Sequence, residues 1–191
     1  MHNTQYTLSH LFAQLGLPAE AQQIEDFITA RRPLANGVAL YRAPFWSPAQ
    51  RAFLKEEIGR LDRDIAEIRR IRETVFIAEQ SVPPELEWDA DDASAVHFLA
   101  FEGDFPIGTA RLLPDGHIGR VSVLKDWRGM KVGDALMQAV IAEAEARGLK
   151  QQMLSAQVQA TAFYERLGFS LVSEEFLEAG IPHVDMVRHS A

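Results

Sequence analysis

The chain has 191 residues, 47% of them hydrophobic and 24% charged, enough for one domain with an appendage and a buried core. A net charge of −8 repels nucleic acid and anionic membrane, which sets both aside as partners. With no cysteine there is no disulfide framework, thiolate metal site or thiol nucleophile, and with neither a long apolar run nor a basic leader in "MHNTQYTLSH" a soluble cytoplasmic protein is expected.

Leu8, Leu11, Phe12 and Leu15 share one helical face, and Gly16 with Pro18 ends that helix. A second helix follows, with Ala21, Ile24 and Ile28 on one face, and stops at Arg32-Pro33. "RPLANGVALYRAPFW" has turn formers without periodicity and reads as irregular packing chain. In "SPAQ", Ser47 is the N-cap, Pro48 the first helical residue, and Gln50 can close a capping box. Leu54, Ile58, Leu61, Ile65 and Ile68 then predict one long helix despite Gly59; the alternative is a short strand at Leu54–Arg60 and a helix to about Glu79. The boundary between two parts of the chain is expected inside this segment, near residue 60.

"EQSVPPELEWDADD" reads as a loop, because two prolines and crowded acids oppose regular structure. "AVHFLAFE", "FPIGTARLL" and "HIGRVSVL", joined by short turns, predict an antiparallel meander. "DWRGMKVGDALM" then turns into a helix with Val132, Leu136, Ala139 and Val140 on one face, ending at Gly148. "KQQMLSAQ" is a fourth strand, parallel to the one before because a crossover helix joins them. "ATAFYERLG" is a short helix, and "FSLVSEEF" and "HVDMVRH" are two last strands.

The turn at "DWRGMKVGDALM" poses the functional question. Helix N-termini present unpaired N–H groups and partial positive charge, and glycine permits close backbone approach, so Gly129 and Gly133 beside Arg128 would suit a diphosphate. The plain alternative is a strand-to-helix turn whose glycines serve packing. The wider series decides between them. "VFIAEQSVP", "IGRVSV", "RGMKVGDALM", "AFYERLGF" and "GIPHVDM", in that order between Ile65 and Arg188, resemble the GNAT superfamily of acyl-CoA-dependent N-acyltransferases, in its ElaA/YjcF-type branch. The family's loop usually carries glycine where Lys131 stands here.

That resemblance implies an α+β fold, a mixed central sheet flanked by helices, over residues 61–191, preceded by a helical module over 1–60. The module itself resembles a small bacterial domain family of unknown function, through "LSHLFAQLGLPAEAQQIEDFI" and "APFWSPAQRAFL". Phe45 and Trp46 are expected to anchor it against the catalytic part or a second subunit, or else to cover the acceptor site. The resemblance also implies acetyl-CoA as cosubstrate, with no metal. Backbone from Val121 to Val123 would pair with the pantetheine arm. Amides of Gly129, Met130, Lys131, Val132, Gly133 and Asp134, with Arg128 alongside, would hold the diphosphate. Gln157 and Phe163 would flank the coenzyme, and Tyr164 would lie near its sulfur.

Acyl transfer needs a neutral amine, a stabilised oxyanion and a proton for the leaving thiolate. Tyr164 is the candidate proton donor; its plain alternative is a core aromatic whose hydroxyl bonds to backbone. A backbone N–H of the Val121–Val123 strand is the candidate oxyanion donor. Family members often draw a base from glutamate in that strand, where this chain has Arg120 and Ser122. Glu79 and Glu87 are the first candidates for that role, followed by Asp89, His97, His117 and His183. The acids of "ELEWDADD" would also attract a cationic amine. No metal-ligand spacing and no Ser-His-Asp arrangement is legible. The expected activity is therefore acetylation of a small amine, in a protein whose helical arm could mediate a homodimer; the competing reading is a non-catalytic acyl-CoA sensor or scaffold.

Overall fold

A computed structural model describes residues 8–34 and 38–190. Residues 1–7, on which the expectation about a leader falls, and 35–37 of the irregular stretch lie outside the described residues. The chain divides into two compact units, one ending at Ile65 and the next beginning at Ala66. No described helix is long and apolar enough to cross a membrane.

The first unit holds α1 (Leu8–Gln14), α2 (Ala21–Thr29) and the start of α3 (Pro48–Arg72). Ser47 caps α3 as its sequence predicts: the Gln50 amide donates to Ser47 Oγ at 3.2 Å and the Ser47 amide to Gln50 Oε1 at 2.9 Å. One helix, rather than a strand and a helix, carries Leu54 to Ile68. Leu15, Ala43, Trp46 and Leu54 form this unit's core. Trp46 thus corrects the expectation of an anchor against another body. It is buried inside its own unit, stacks on Phe27 at 5.6 Å, and donates its indole N–H to the Leu40 carbonyl at 2.8 Å.

In the second unit α3 widens into a π-helical turn at Glu73–Glu79. The loop expected at "EQSVPPELEWDADD" is more ordered than its composition indicates. It contains a helical turn, α4 (Pro84–Glu87), started by Pro84, and a 3₁₀ turn at Ala90–Ala93, capped by Asp89 Oδ1 accepting from the Asp91 amide. The strands β1 (Val96–Glu102), β2 (Phe105–Leu112) and β3 (Ile118–Val123) form the expected antiparallel meander. Helix α5 (Val132–Ala146) lies on that sheet with Leu136, Met137, Val140 and Ala144 buried. Each such side chain of leucine or methionine size contributes about 1.5–3 kcal/mol by leaving water.

β4 (Gln151–Gln157) does not simply extend the meander. It pairs antiparallel with β7 (Ile181–His189) in a second sheet, and a single parallel bridge, His117 to Met153, joins it to the first. Between them lie α6 (Thr161–Glu165), β5 (Ser170–Leu171) and β6 (Phe176–Glu178). "FSLVSEEF" is therefore two short strands, both on the other edge of β7, instead of one. Ser173 interrupts it: its Oγ accepts the Asp185 amide at 2.8 Å, replacing a ladder carbonyl.

Candidate active site

At the closed end of the gap between the sheets, the Met153 amide donates to the Gly116 carbonyl at 3.1 Å. Gly116 has φ +96°, and a Cβ there would sit 2.5 Å from the Gln151 carbonyl oxygen, so only glycine lets the strands approach this closely. Beyond this bridge β3 follows β2 while β4 follows β7. The strands part, and a cavity of about 440 Å³ opens between them. Its walls include Val121 from β3, Leu154 and Gln157 from β4, Tyr164 from α6 and His183 from β7.

β3 carries a bulge at this wall. Thr109 faces Ser122 and Arg111 faces Gly119, so Arg120 and Val121 together oppose Ala110 alone. Arg120 takes φ +52°, a left-handed conformation costing a non-glycine residue about 1–2 kcal/mol. Its guanidinium ties the bulge to the acidic loop, donating to the Glu87 carbonyl at 3.1 Å and to Asp89 Oδ2 at 3.0 Å. Ser122 is buried, and its hydroxyl donates to the Arg120 carbonyl at 3.4 Å.

The turn into α5 is left-handed at both Gly129 (φ +77°) and Lys131 (φ +61°). Among the described residues, the backbone amides of Gly129, Met130, Lys131, Val132, Gly133 and Asp134 donate no hydrogen bond; the first helical bond is from Ala135 to the Lys131 carbonyl. These are the orphan donors of a helix N-terminus, with its partial positive charge. Gly133 packs on the Phe163 ring, where an added Cβ would lie 3.4 Å away, so the loop and the cavity share α6. Arg128 folds back over the end of β3. Its Nε donates to the Val123 carbonyl at 2.9 Å and its Nη2 to Glu79 at 2.7 Å. Met130 is exposed. Gln157 donates to the Gln80 side chain at 2.8 Å.

Tyr164 is wedged edge-on between Phe163, at 4.9 Å, and Phe169, at 6.1 Å. Among the described residues its hydroxyl makes no hydrogen bond, so the backbone partner of the plain alternative is missing. Burial pushes its phenol up to about 12.

The acids are differently placed from what composition indicates. Glu79 pairs with Arg128 at the surface. Glu87 is buried against the cavity, with Arg72 Nε at 2.5 Å and Arg120 Nε at 3.1 Å. Asp89 holds Arg111 and Arg120; Asp92 holds Arg72 and Arg111. Three carboxylates and three guanidiniums thus alternate in one network whose charges cancel, so Glu87, Asp89 and Asp92 are not the solvated acids that composition indicates. Burial raises Glu87 above the ordinary glutamate range, against the pull of Arg72 and Arg120. Hydrogen bonds from Arg111 hold Asp89 below the aspartate range. Burial opposes ionisation of Asp92, yet Arg72 and Arg111 together hold it low.

A raised carboxyl suits a base, but a proton taken up by Glu87 would leave three guanidiniums, Arg72, Arg111 and Arg120, to share only Asp89 and Asp92. Glu87 acts here as a counter-ion, and Glu79 serves Arg128 in the same way. The histidines separate cleanly. His97 faces the Asp92 carbonyl at 2.9 Å, within the acid network, and His117 is half-exposed with Nδ1 2.9 Å from Asp115. His183 is 8% exposed, lines the cavity, and has Nδ1 2.8 Å from the Ile181 carbonyl. Among the described residues no group of three or more histidines and acids is placed to hold a metal ion. The arginines are what the sequence reading missed. Their only signal was a charged residue inside each of "TARLL" and "IGRVSV", strands that are otherwise apolar on one face.

Comparisons with known proteins give the chain's relatives. A family model described as an acetyltransferase (GNAT) domain matches residues 55–190, and one for a protein family of unknown function, DUF2789, matches residues 1–68. An uncharacterized N-acetyltransferase, YjcF of Bacillus subtilis, is 36% identical over 139 residues, 71% of this chain and 99% of that protein. The crystal structure of Escherichia coli ElaA superposes with a TM-score of 0.60 at 32% identity, covering 65% of this chain and 90% of that one. An acyl-CoA N-acyltransferase from Pseudomonas aeruginosa gives a TM-score of 0.59 at 34% identity, covering 65% and 89%.

Proposed function

Because the chain belongs to the GNAT acetyltransferase family, we propose that it moves an acetyl group from acetyl-CoA to a small amine by direct transfer in a ternary complex. The observation that carries this reading is the turn into α5, with its unpartnered amides from Gly129 to Asp134. A diphosphate placed there gains N–H bonds and the field of the helix N-terminus together. Lys131 brings a cation to the same turn. Arg128 is a second, since its exposed pair with Glu79 is worth at most about 1 kcal/mol and exchanges readily for a phosphate.

From that anchor the free edge of β3 at Val121 would take the pantetheine arm, and Gln157 and Phe163 would flank it. Val123 is already committed through its carbonyl to Arg128, so the arm's pairing centres on Val121. The cosubstrate supplies the thioester. Tyr164 donates its O–H to the sulfur as the C–S bond breaks, and a β3 amide at the bulge holds the carbonyl oxygen as it gains charge. Direct transfer suits a chain without a cysteine nucleophile.

The test is release of free CoA thiol from acetyl-CoA across a panel of amines, alongside thermal unfolding with and without CoA. Turnover on at least one amine is expected, with a stabilisation of about 2.7 kcal/mol at roughly 100 times the dissociation constant. Tight CoA binding without turnover on any amine would make the chain an acyl-CoA sensor, and no thermal shift at all would remove the coenzyme altogether.

A further inference from the structure

We propose that His183 is the general base that takes the proton from the acceptor amine, an inference that rests on the amine acylation proposed above. The Ile181 carbonyl can only accept a hydrogen bond, so the nitrogen 2.8 Å from it, Nδ1, must carry the hydrogen. The lone pair of the neutral ring then sits on Nε2. Among the described residues Nε2 has no hydrogen-bond partner, and the residue is a wall of the same cavity as Tyr164.

The ring is held rather than mobile. His183 lies in β7 between Gln157 of β4 and Phe176 of β6, and its ring stacks on Phe176 at 6.2 Å and 26°. Its tautomer and its orientation are therefore set before any substrate arrives, which is the usual second requirement of a base. Three other charged or titratable groups of the cavity are committed. Glu87 neutralises Arg72 and Arg120, Arg111 is held by Asp89 and Asp92, and the His117 ring is on Asp115. Glu178 is exposed on β6, and Asp185, two residues along β7, accepts from Ser155 at 2.7 Å.

The proton balance closes. Nε2 takes one N–H proton from the ammonium form of the acceptor, leaving a neutral amine and an imidazolium. The amine lone pair forms the C–N bond, and the C–S bond breaks with its electrons on sulfur. The new amide nitrogen loses its second proton to water, the thiolate, held by a hydrogen bond from Tyr164, takes one from water, and the imidazolium returns its proton to water. The net products are amide, thiol and one proton.

Two measurements test this. In the free protein, long-range ¹H–¹⁵N correlation of the neutral His183 ring is expected to show hydrogen on Nδ1; hydrogen on Nε2 would overturn the proposal with no substrate involved. In His183→Gln and His183→Ala, kcat with the best amine should fall by about 10²-fold or more while the CoA-induced thermal shift stays unchanged, and added imidazole should partly restore His183→Ala. Unchanged kcat in either folded variant overturns the role of His183 alone. Absence of turnover in the unmodified protein overturns this role and the acylation reading together, so the two failures are distinguishable.

Discussion

Phenylalanine at position 164 should lower kcat for acetyl transfer by about ten- to a hundredfold and leave CoA affinity and thermal stability unchanged. The phenol is pushed up to about 12 by burial, whereas a free thiol ionises near 8.5. Complete transfer from such a phenol to a thiolate would run uphill by about 3.5 pKa units, or roughly 5 kcal/mol at 1.36 kcal/mol each. Tyr164 therefore stays protonated at neutral pH and stabilises the leaving sulfur mainly as a hydrogen-bond donor to developing charge. Such a bond contributes about 1.5–3 kcal/mol, which sets the size of the expected loss. Stability is untouched because the hydroxyl makes no hydrogen bond among the described residues. Removing a purely structural tyrosine hydroxyl would do the opposite: it would lower the melting temperature and spare kcat. Steady-state kinetics and a thermal melt on one variant separate the two roles.

The second large effect is on stability. Arg72→Leu is expected to cost about 3–5 kcal/mol in equilibrium urea unfolding, because it removes the buried partner of Glu87 and Asp92 and leaves the network one positive charge short. Arg72 is 1% exposed; Nη1 reaches Asp92 at 2.8 Å, Nη2 the Glu87 carbonyl at 2.8 Å, and the guanidinium lies 4.7 Å from the Trp88 ring centre. Adding Glu87→Gln to Arg72→Leu should recover much of the loss, since the stranded charge is then gone. Equal and additive losses in the two single variants would show that the network's charges are not coupled.

The elements were largely legible because their causes are local. Ser47-Pro48-x-Gln50 states a helix start, and short polar turns between alternating runs state a meander. The turn into α5 was legible for the same reason: glycines and a cation sit directly between a strand and a helical period. What escaped depends on partners distant in sequence. Alternation in "KQQMLSAQ" marks a strand without naming its neighbour, and the neighbour turned out to be β7, with only the Met153 bridge to the first sheet. Glu87, Asp89 and Asp92 of "ELEWDADD" look solvated until Arg72, Arg111 and Arg120 arrive from α3, β2 and β3. The bulge at Arg120 carries no glycine at its left-handed residue, so nothing local announced it. The arginine tolerates that conformation because its side chain is clamped from across the cleft edge.

The proposed function stands or falls on whether the main chain entering α5 holds the diphosphate of a coenzyme. A ¹⁵N-labelled sample titrated with CoA, and separately with pantetheine, which lacks the diphosphate, tests it most directly. Large, saturable shifts of the amides of Gly129 to Asp134 are expected with CoA and almost none with pantetheine. Amides that stay put while CoA saturates the protein would place the diphosphate elsewhere.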